Sequence, residues 1–483
     1  MPCFAAALAI AILLSGSANH WASTRVVSNW ADVPSYFIQA RIFAAGHLAV
    51  PSPEPREFFS SPYLFNQGLT FSKYPPGWPA LLALGMLART PWIVNPLLTV
   101  LGLAVVFRLG RRLYGLETAA MATALMAVSV HVVYHATTYF SEPASTLFAA
   151  LGALTVLKAL RSESNQDWLL AGSCWGVLFL IRPYTAVALG LPVAIYGVSI
   201  LCRRPRIGPV VVALIPFAGL IALHLLYNRL STGSALTFPF NLYNPQDRLG
   251  FGLRALDIDV PPTHYGWSIA VRKLLRATVM ANAVFIPLGF IFAGISLAGR
   301  RRGRDWLLLA CFLSVVLFHF FYFAQQERYW LPAFFAIALL AAKGIRQVGV
   351  AIESRFPGYP AQRTSRTLFA LVAVASLVQT TDKLWREELP LRRRLADPFD
   401  RVAEAKLNQA VVFLVSAPAP NVGHYIQTAP EVNAPVLFVR DRGTHNDDLT
   451  RRYPERGAYR YEYSRAVGRG RLYPIPHVPT THD

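Results

Sequence analysis

The stretch YFSEPASTLFAALGALTVLKALR, residues 139–161, shows a pattern that recurs along the whole chain. Its apolar part, Ala144–Leu160, is long enough to cross the hydrocarbon core of a bilayer as a helix. An acid, Glu142, stands before this run, and two cations, Lys158 and Arg161, stand at its far end. Because similar apolar blocks follow one another between short polar connections, the sequence predicts a polytopic helical membrane protein.

The composition agrees with this class. Hydrophobic residues make up 54% of the 483 residues and charged residues only 15%, whereas soluble domains are roughly a quarter charged. We therefore predict an all-α polytopic membrane protein with about 11 transmembrane helices. The predicted spans are Phe4–Ser17, Trp92–Leu109, Leu116–Tyr139, Ala144–Leu160, Trp168–Ile181, Tyr184–Leu201, Val210–Tyr227, Ala277–Ala298, Trp306–Ala324, Tyr329–Ala342 and Leu368–Val378.

Basic residues predict the orientation of these spans, because cytoplasmic loops are enriched in Lys and Arg. The clusters alternate with the spans and fall on one side: Arg111 and Arg112, Lys158 and Arg161, Arg203–Arg206, Arg300–Arg304, and Lys343 and Arg346. The prediction is a multi-pass protein of the plasma or inner membrane with a cytoplasmic amino terminus and an extracytoplasmic carboxyl terminus. The net charge of +20 is distributed over these clusters, so its predicted partner is the lipid bilayer and not nucleic acid.

Two long segments then face the outside. Residues 18–91 form a long first extracytoplasmic loop, in which Gly77–Arg89 is apolar but too short to span and is predicted to lie in the membrane interface. In the tail, Ala410–Val415 and Pro435–Asp441 have the composition of short strands. The predicted organisation is a transmembrane catalytic domain over residues 1–380 and a small extracytoplasmic α/β domain over residues 381–483.

Two acids lie at the predicted outer face. Asp32, in SNWADVPSYFIQAR (residues 28–41), follows the first span closely. Glu142 is predicted to end the third span, with Pro143 closing that helix. Ionisable residues at membrane depth are costly and usually line a cavity. The structural alternatives are that Asp32 caps a helix or lies in an interfacial loop, and that Glu142 only pairs with Arg182 or Arg328.

Three cations share this face: Lys73, Arg182 and Arg328. Acids accept protons and cations hold anions, so the combination is typical of a reaction site. Lys73 could instead extend its ammonium to the lipid headgroups. The arginines run against the positive-inside bias, which favours a functional interpretation.

A metal site is a weaker hypothesis. His131 and His135 lie one helical turn apart, which is a spacing that could hold a metal. Two histidines alone are insufficient for that assignment. We predict no cofactor with certainty, and a divalent cation stays open.

The order of several segments is similar to that of the GT-C class of membrane glycosyltransferases, in the branch with protein O-mannosyltransferases and lipid A aminoarabinose transferases. The resemblance covers most of residues 20–345. It is carried by DVPSYF, KYPPGWPALLALG, NPLLTVLGLAVVFRLGRRLYG, YFSEPASTLFAALGAL, LLAGSCWGVLFLIRPYTAVALGLP and ERYWLPAFFAIALLAAKG. STGSALTFPF and NPQDRLGFG resemble an uncharacterised bacterial branch of the class.

The resemblance implies a sugar donor linked through phosphate to a polyprenol, a hydroxyl acceptor in the cell envelope, and transfer with inversion at the outer face. It implies that Asp32 is the catalytic acid of the first loop and that Glu142 is a second acid of the site. The implied ligands of the donor phosphate are Lys73, Arg182, Arg328 and Tyr329. One departure is that many relatives carry two adjacent acids here, whereas Val33 follows Asp32.

Two other functional classes stay open from the residues alone. A transporter or lipid-linked-glycan flippase would also place charges in a membrane cavity, although transporters usually place them near the midplane and show repeated halves. A non-catalytic subunit that binds a lipid-linked glycan is the third reading, since a fold does not guarantee an activity.

Overall fold

The computed structural model describes residues 30–162, 164–202, 208–258, 260–298, 303–426 and 434–475. The predicted first span, Phe4–Ser17, lies outside these residues. The helices are α1 Asp32–Ala44, α2 Gly77–Leu87, α3 Val94–Tyr114, α4 Leu116–Ala127, α5 Val130–Ala136, α6 Glu142–Ser162, α7 Asn165–Ile181, α8 Pro183–Leu201, α9 Gly208–Thr232, α10 Pro239–Tyr243, α11 Trp267–Val284, α12 Gly289–Ala298, α13 Gly303–Phe320, α14 Phe334–Arg355, α15 Ala361–Asp382, α16 Leu389–Leu395, α17 Asp397–Glu404 and α18 Asn446–Arg452.

Short helical turns join several of these helices. They are Arg56–Phe58, Pro91–Ile93, Glu327–Ala333, Val422–Tyr425 and Gly443–His445, each a 3₁₀ turn, and the π turn Lys383–Glu388. The strands are β1 Val50–Pro51, β2 Leu64–Gln67, β3 Leu69–Ser72, β4 Gly252–Arg254, β5 Thr263–Tyr265, β6 Ala410–Leu414, β7 Val436–Arg440, β8 Gly457–Ser464 and β9 Arg469–Pro474.

The described chain is mainly helical and polytopic. Seven helical segments are long and apolar enough to cross a membrane, and the count rises to nine if each of two bent pairs is one span. The 17-residue α7 is not among them. A multi-pass helical protein is therefore confirmed, whereas the count of about eleven spans and the direction of the termini stay predictions.

Two predicted spans are not straight. The block Leu116–Tyr139 is broken into α4 and α5, which are bent by 61°. The block Ala277–Ala298 falls on α11 and α12, which are bent by 94°. In the second break Pro287 supplies no backbone donor, and Leu288 has a φ of 60°, so the helix cannot continue through it. Hydropathy alone does not reveal such bends, because both arms are apolar.

The prediction that Glu142 ends a span, with Pro143 closing it, is wrong. Glu142 is the first residue of α6, and Pro143 follows it in the first turn. Proline suits this position, because the first backbone N–H groups of a helix have no partner within the helix. The pair therefore opens a helix and directs the Glu142 side chain from its amino end.

Helix α14 forms the centre of the transmembrane bundle. Every residue from Phe334 to Ala342 is at most 3% exposed, which is typical of a helix that is apolar on all sides and surrounded by others. A Cβ at Gly344 would clash with the backbone carbonyl of Phe292. Close approach of α12 to α14 thus requires glycine at this position.

The short apolar segment predicted at Gly77–Arg89 forms α2. Its first residue lies against the end of α7, and a Cβ at Gly77 would come within 2.6 Å of the Leu180 carbonyl carbon. Glycine is therefore the residue that allows this contact. The packing fixes the start of α2, and with it the preceding Lys73-Tyr74-Pro75-Pro76 segment, against the bundle.

Both strands predicted in the tail are present, in a four-stranded sheet of order β7-β6-β8-β9. β6 is parallel to β7 and β8, and β9 is antiparallel to β8. The first loop packs on this sheet: Phe58 and Phe59 are buried in a cluster with Val411, Phe413 and Leu437. The loop also contains a small antiparallel sheet of order β1-β3-β2, which ends directly before Lys73.

Candidate active site

All six residues predicted for the site line one cavity. They come from five separate parts of the chain: Asp32 from α1, Lys73 from the end of β3, Glu142 from α6, Arg182 from the α7–α8 turn, and Arg328 with Tyr329 from the 3₁₀ turn before α14. Asp247, which was not predicted from the sequence, also lines this cavity. The cavity therefore contains three carboxylates and three cations.

Asp32 is the first residue of α1, where a carboxylate is favoured by the helix dipole. The Tyr74 hydroxyl donates a hydrogen bond to Asp32 Oδ1. Arg328 Nη2 lies 3.5 Å from Asp32 Oδ2. Burial and the negative charge of Asp32 raise the pKa of Tyr74 well above its usual range. Tyr74 therefore stays protonated and holds the carboxylate in place as a donor.

Glu142 pairs with Arg182, as the structural alternative had it. Arg182 Nη1 lies 2.8 Å from Glu142 Oε1. Glu142 Oε2 is buried and accepts no hydrogen bond from the described residues, so half of the carboxylate is left for another donor. Arg182 precedes Pro183 and has an extended backbone, because the proline ring disfavours helical geometry in the residue before it.

Lys73 is buried and is held from several directions. Its Nζ lies 3.1 Å from Asp247 Oδ2 and 3.7 Å from the centre of the Tyr63 ring. The Tyr322 hydroxyl donates to Asp247 Oδ1 over 2.8 Å. This geometry contradicts the alternative in which Lys73 reaches out to the headgroups, since its side chain is only 4% exposed.

Arg328 is fixed by its neighbours in sequence and by aromatic rings. Its Nε donates to Gln326 Oε1 over 2.8 Å, and its Nη2 donates to the Tyr329 hydroxyl over 3.2 Å. The guanidinium carbon lies 5.0 Å from the centre of the Trp30 ring and 4.8 Å from that of Phe140. Such rings stabilise a cation while leaving its remaining N–H groups free to bind an anion.

The described residues do not fit a divalent cation. Each of the three carboxylates of the cavity is paired with a cation, and the described ranges contain no group of three His, Cys, Asp or Glu placed to hold a metal. His131 and His135 have ring centres 5.3 Å apart. His135 Nδ1 bonds the His131 carbonyl, and His131 Nε2 lies 3.6 Å from Glu327 Oε1, but both His131 nitrogens and His135 Nε2 make no hydrogen bond with the described residues.

Asp247 could not have been assigned to the site from its local sequence. It lies in NPQDRLGFG, within the long segment between α9 and α11. That segment was matched to a bacterial branch of the class, but nothing in the sequence says that it folds back over the membrane-embedded site. Its pairing with Lys73 bridges 174 residues, which no local pattern predicts.

Comparison with known proteins agrees with this architecture. Residues 75–227 match the family model described as dolichyl-phosphate-mannose-protein mannosyltransferase. No curated protein sequence gives a significant match. The fold is similar to ArnT from Cupriavidus metallidurans bound to undecaprenyl phosphate, with a TM-score of 0.57, 14% sequence identity, and coverage of 95% of this chain and 92% of ArnT.

The apo state of the same ArnT gives a TM-score of 0.55 at 14% identity, and the match covers 89% of this chain and 87% of ArnT. At this identity the structures establish a common fold, and the family model adds a sequence match over α2 to α9. The resemblance predicted from the sequence is thereby confirmed: the chain has the fold of the GT-C membrane glycosyltransferases and carries the sequence pattern of their protein mannosyltransferase branch over residues 75–227.

Proposed function

We propose that this protein transfers a sugar from a polyprenyl-phosphate donor to a hydroxyl acceptor at the extracytoplasmic face of the membrane, with inversion at the anomeric carbon. The observation that carries the proposal is the convergence of Asp32, Lys73, Arg182 and Arg328 on one cavity from distant parts of the chain. A base and a set of buried cations in one cavity match the two needs of the reaction, which are deprotonation of an acceptor and stabilisation of a leaving phosphate.

Asp32 is the proposed general base. It takes the proton of the acceptor hydroxyl while the hydroxyl oxygen attacks the anomeric carbon. The bond between that carbon and the phosphate oxygen breaks, and its electron pair leaves with the polyprenyl phosphate. A single displacement from the side opposite the phosphate inverts the configuration. Tyr74 and Arg328 keep the carboxylate oriented during this step.

The donor phosphate is proposed to bind near Arg328, Arg182, Lys73 and Tyr329. The guanidinium carbons of both arginines lie near the Tyr329 ring, at 4.9 Å for Arg328 and 5.2 Å for Arg182. Two cations on one ring create a concentrated positive potential, which binds the singly charged phosphodiester of the donor and stabilises the second negative charge that develops as polyprenyl phosphate leaves. Glu142 is proposed to orient the acceptor through Oε2, which has no hydrogen-bond partner among the described residues. Glu142 would thereby take the place of the second acid that many relatives carry directly after the position of Asp32.

The test uses the purified full chain, a polyprenyl-phosphate-linked sugar and a cell-envelope glycan fraction as acceptor. The proposal expects release of free polyprenyl phosphate in step with sugar transfer, with the new bond in the opposite anomeric configuration. Movement of the intact donor across a vesicle membrane without bond cleavage would favour a flippase. Binding of the donor with neither sugar transfer nor movement across the membrane would favour a non-catalytic subunit.

Loss of Lys73 is expected to weaken donor use more than acceptor use. Removing a charge-assisted contact to a buried anion costs on the order of 1.5–3 kcal/mol, so Lys73→Ala should raise the KM for the donor by roughly 10- to 100-fold. The initial rate is measured against donor concentration at a fixed acceptor concentration, and then against acceptor concentration at a fixed donor concentration.

The control for this prediction separates donor binding from the pairing with Asp247. Lys73→Ala leaves Asp247 buried without its cation, whereas the double variant Lys73→Met/Asp247→Leu removes both charges of the pair. If Lys73 binds the donor, the double variant regains stability but not donor affinity. Recovery of donor affinity in the double variant would mean that Lys73 serves only to neutralise Asp247.

The carboxyl terminus is expected to face outward, because the basic clusters occupy the other side of the predicted spans. A reporter that is active only in the cytoplasm, fused after Asp483, should be silent, and one that is active only outside should report. A matched fusion after Arg355, at the end of α14, should give the opposite pattern. Cytoplasmic activity of the terminal fusion would place the whole site on the wrong side for this proposal.

A further inference from the structure

A second cavity lies at the other end of the transmembrane bundle. It is lined by residues at the end of α3, the start of α4, the end of α12, the start of α13 and the second half of α14, and its volume is about 760 Å³. His319, which lines the first cavity, and Arg304, which lines the second, are 15 residues apart on α13 (319 − 304). At 1.5 Å per residue the two cavities are roughly 22 Å apart along that helix.

The walls of this cavity carry an excess of positive charge. Its charged lining residues are the cations Arg304, Lys343 and Arg346 and the acid Asp305. Lys343 is committed to Asp305, with Nζ 2.9 Å from Oδ2. Arg346 is partly balanced by Glu117, with Nε 3.3 Å from Oε2. Asp305 and Glu117 are therefore paired with Lys343 and Arg346.

Arg304 is the cation that these pairs leave available. Its guanidinium carbon lies 5.3 Å from the centre of the Tyr114 ring, and its Nε is buried with no hydrogen-bond acceptor among the described residues. The Tyr114 hydroxyl is itself directed to Asp305 Oδ1 over 2.5 Å. A buried N–H group without an acceptor is costly, so the position favours an acceptor supplied from outside the chain.

Apart from the polar Tyr114, Thr118 and Gln347, the uncharged part of the lining is apolar. Leu113, Ile295, Ala298, Val350 and Ala351 form these walls. Val350 is 59% exposed, so the apolar side of the cavity is open at the surface of the bundle. A free inorganic anion would gain nothing from these walls, whereas a ligand with a charged head and an apolar tail would contact both halves of the lining.

We propose that this cavity binds the phosphate headgroup of an anionic membrane lipid, with Arg304 as its principal ligand and Arg346 beside it. The phosphate would satisfy the N–H groups of Arg304, and the acyl chain would cover the apolar wall. The site is separate from the proposed transfer site, so its occupancy does not depend on the glycosyltransferase assignment. A volume of about 760 Å³ is within the range of ordinary ligand sites.

The test is a lipid titration of the delipidated full chain in detergent, with bound lipid counted by native mass spectrometry. Phosphatidylglycerol is the anionic probe, phosphatidylcholine is the zwitterionic one, and inorganic phosphate is the soluble one. The variants are Arg304→Gln, Arg304→Lys and Arg355→Gln. Arg355 is the matched control, because it is exposed near the same end of α14 and does not line the cavity.

We expect one phosphatidylglycerol to bind more tightly than phosphatidylcholine. Arg304→Gln should weaken that binding by roughly tenfold or more, because a charge-assisted contact is lost. Arg304→Lys should restore most of it, and Arg355→Gln should leave it unchanged. Thermal unfolding without added lipid checks that each variant is folded.

Two results would overturn the proposal. One is equal affinity of Arg304→Gln and Arg355→Gln for phosphatidylglycerol, which would mean that the lipid binds elsewhere on the bundle. The other is Arg304-dependent binding of inorganic phosphate with no preference for the anionic lipid, which would replace the lipid by a soluble anion.

Discussion

Replacement of Asp32 by Asn is expected to lower turnover by ~10²–10⁴-fold, the usual contribution of general-base catalysis. The amide has nearly the same shape as the carboxylate and can still accept the hydrogen bond from Tyr74. It cannot take the acceptor's proton, and it does not offset the charge of Arg328. The measurement is the initial rate of sugar transfer at saturating donor and acceptor.

The control for this prediction is a structural one. Asp32 is also the first residue of α1, where Ala31 is the N-cap and no side chain makes a capping hydrogen bond, so its structural contribution is the small interaction of its charge with the helix dipole. If Asp32 only supports the helix, the Asn variant should retain turnover within a few-fold of the parent. That result in a folded protein that still binds the donor would remove Asp32 as the base and make Glu142 the next candidate.

Removal of the Glu142 carboxylate is expected to be strongly destabilising. Glu142→Ala leaves Arg182 in a largely buried position next to a second arginine, Arg328. Breaking a buried ion pair by deleting one partner costs about 3–5 kcal/mol. The loss should appear as a lower free energy of unfolding in detergent, and with it a loss of activity.

A matched double variant separates stability from function. Glu142→Leu/Arg182→Leu removes both buried charges and should recover most of the free energy of unfolding, since apolar replacements of buried pairs are often neutral. It should not recover transfer activity if the pair serves the reaction. Full recovery of both properties would mean that the pair only holds α6 against the α7–α8 turn.

The composition of the site was predictable because the membrane restricts where charges lie. Asp32, Glu142, Lys73, Arg182 and Arg328 are predicted from their position on one side of the membrane and from the resemblance to the GT-C class, and the structure brings all five around one cavity. Their pairing was not predictable. The Glu142–Arg182 pair had been one of the alternatives, but Lys73–Asp247 joins segments with no shared local pattern.

The fold was predictable to the level of its apolar blocks. The two sharp bends were missed because α4 with α5, and α11 with α12, are apolar on both sides of each break. The position of Pro143 was misread for a related reason. Proline marks both ends of helices, and the hydrophobic run alone does not say whether Glu142 closes one helix or opens the next.

The packing of the first loop on the tail sheet bears on how the protein is made. Ser61 donates to the carbonyl of Gly423, a residue 362 positions later, and Phe58 and Phe59 are buried among residues of β6 and β7. The loop leads into Tyr63, whose carbonyl accepts the Lys73 N–H. During synthesis from the amino end, the first loop is therefore made long before its packing partners exist. The first loop reaches its final packing last, and in a chain that stops before β6 the two phenylalanines of the loop that precedes Lys73 have no sheet to cover them.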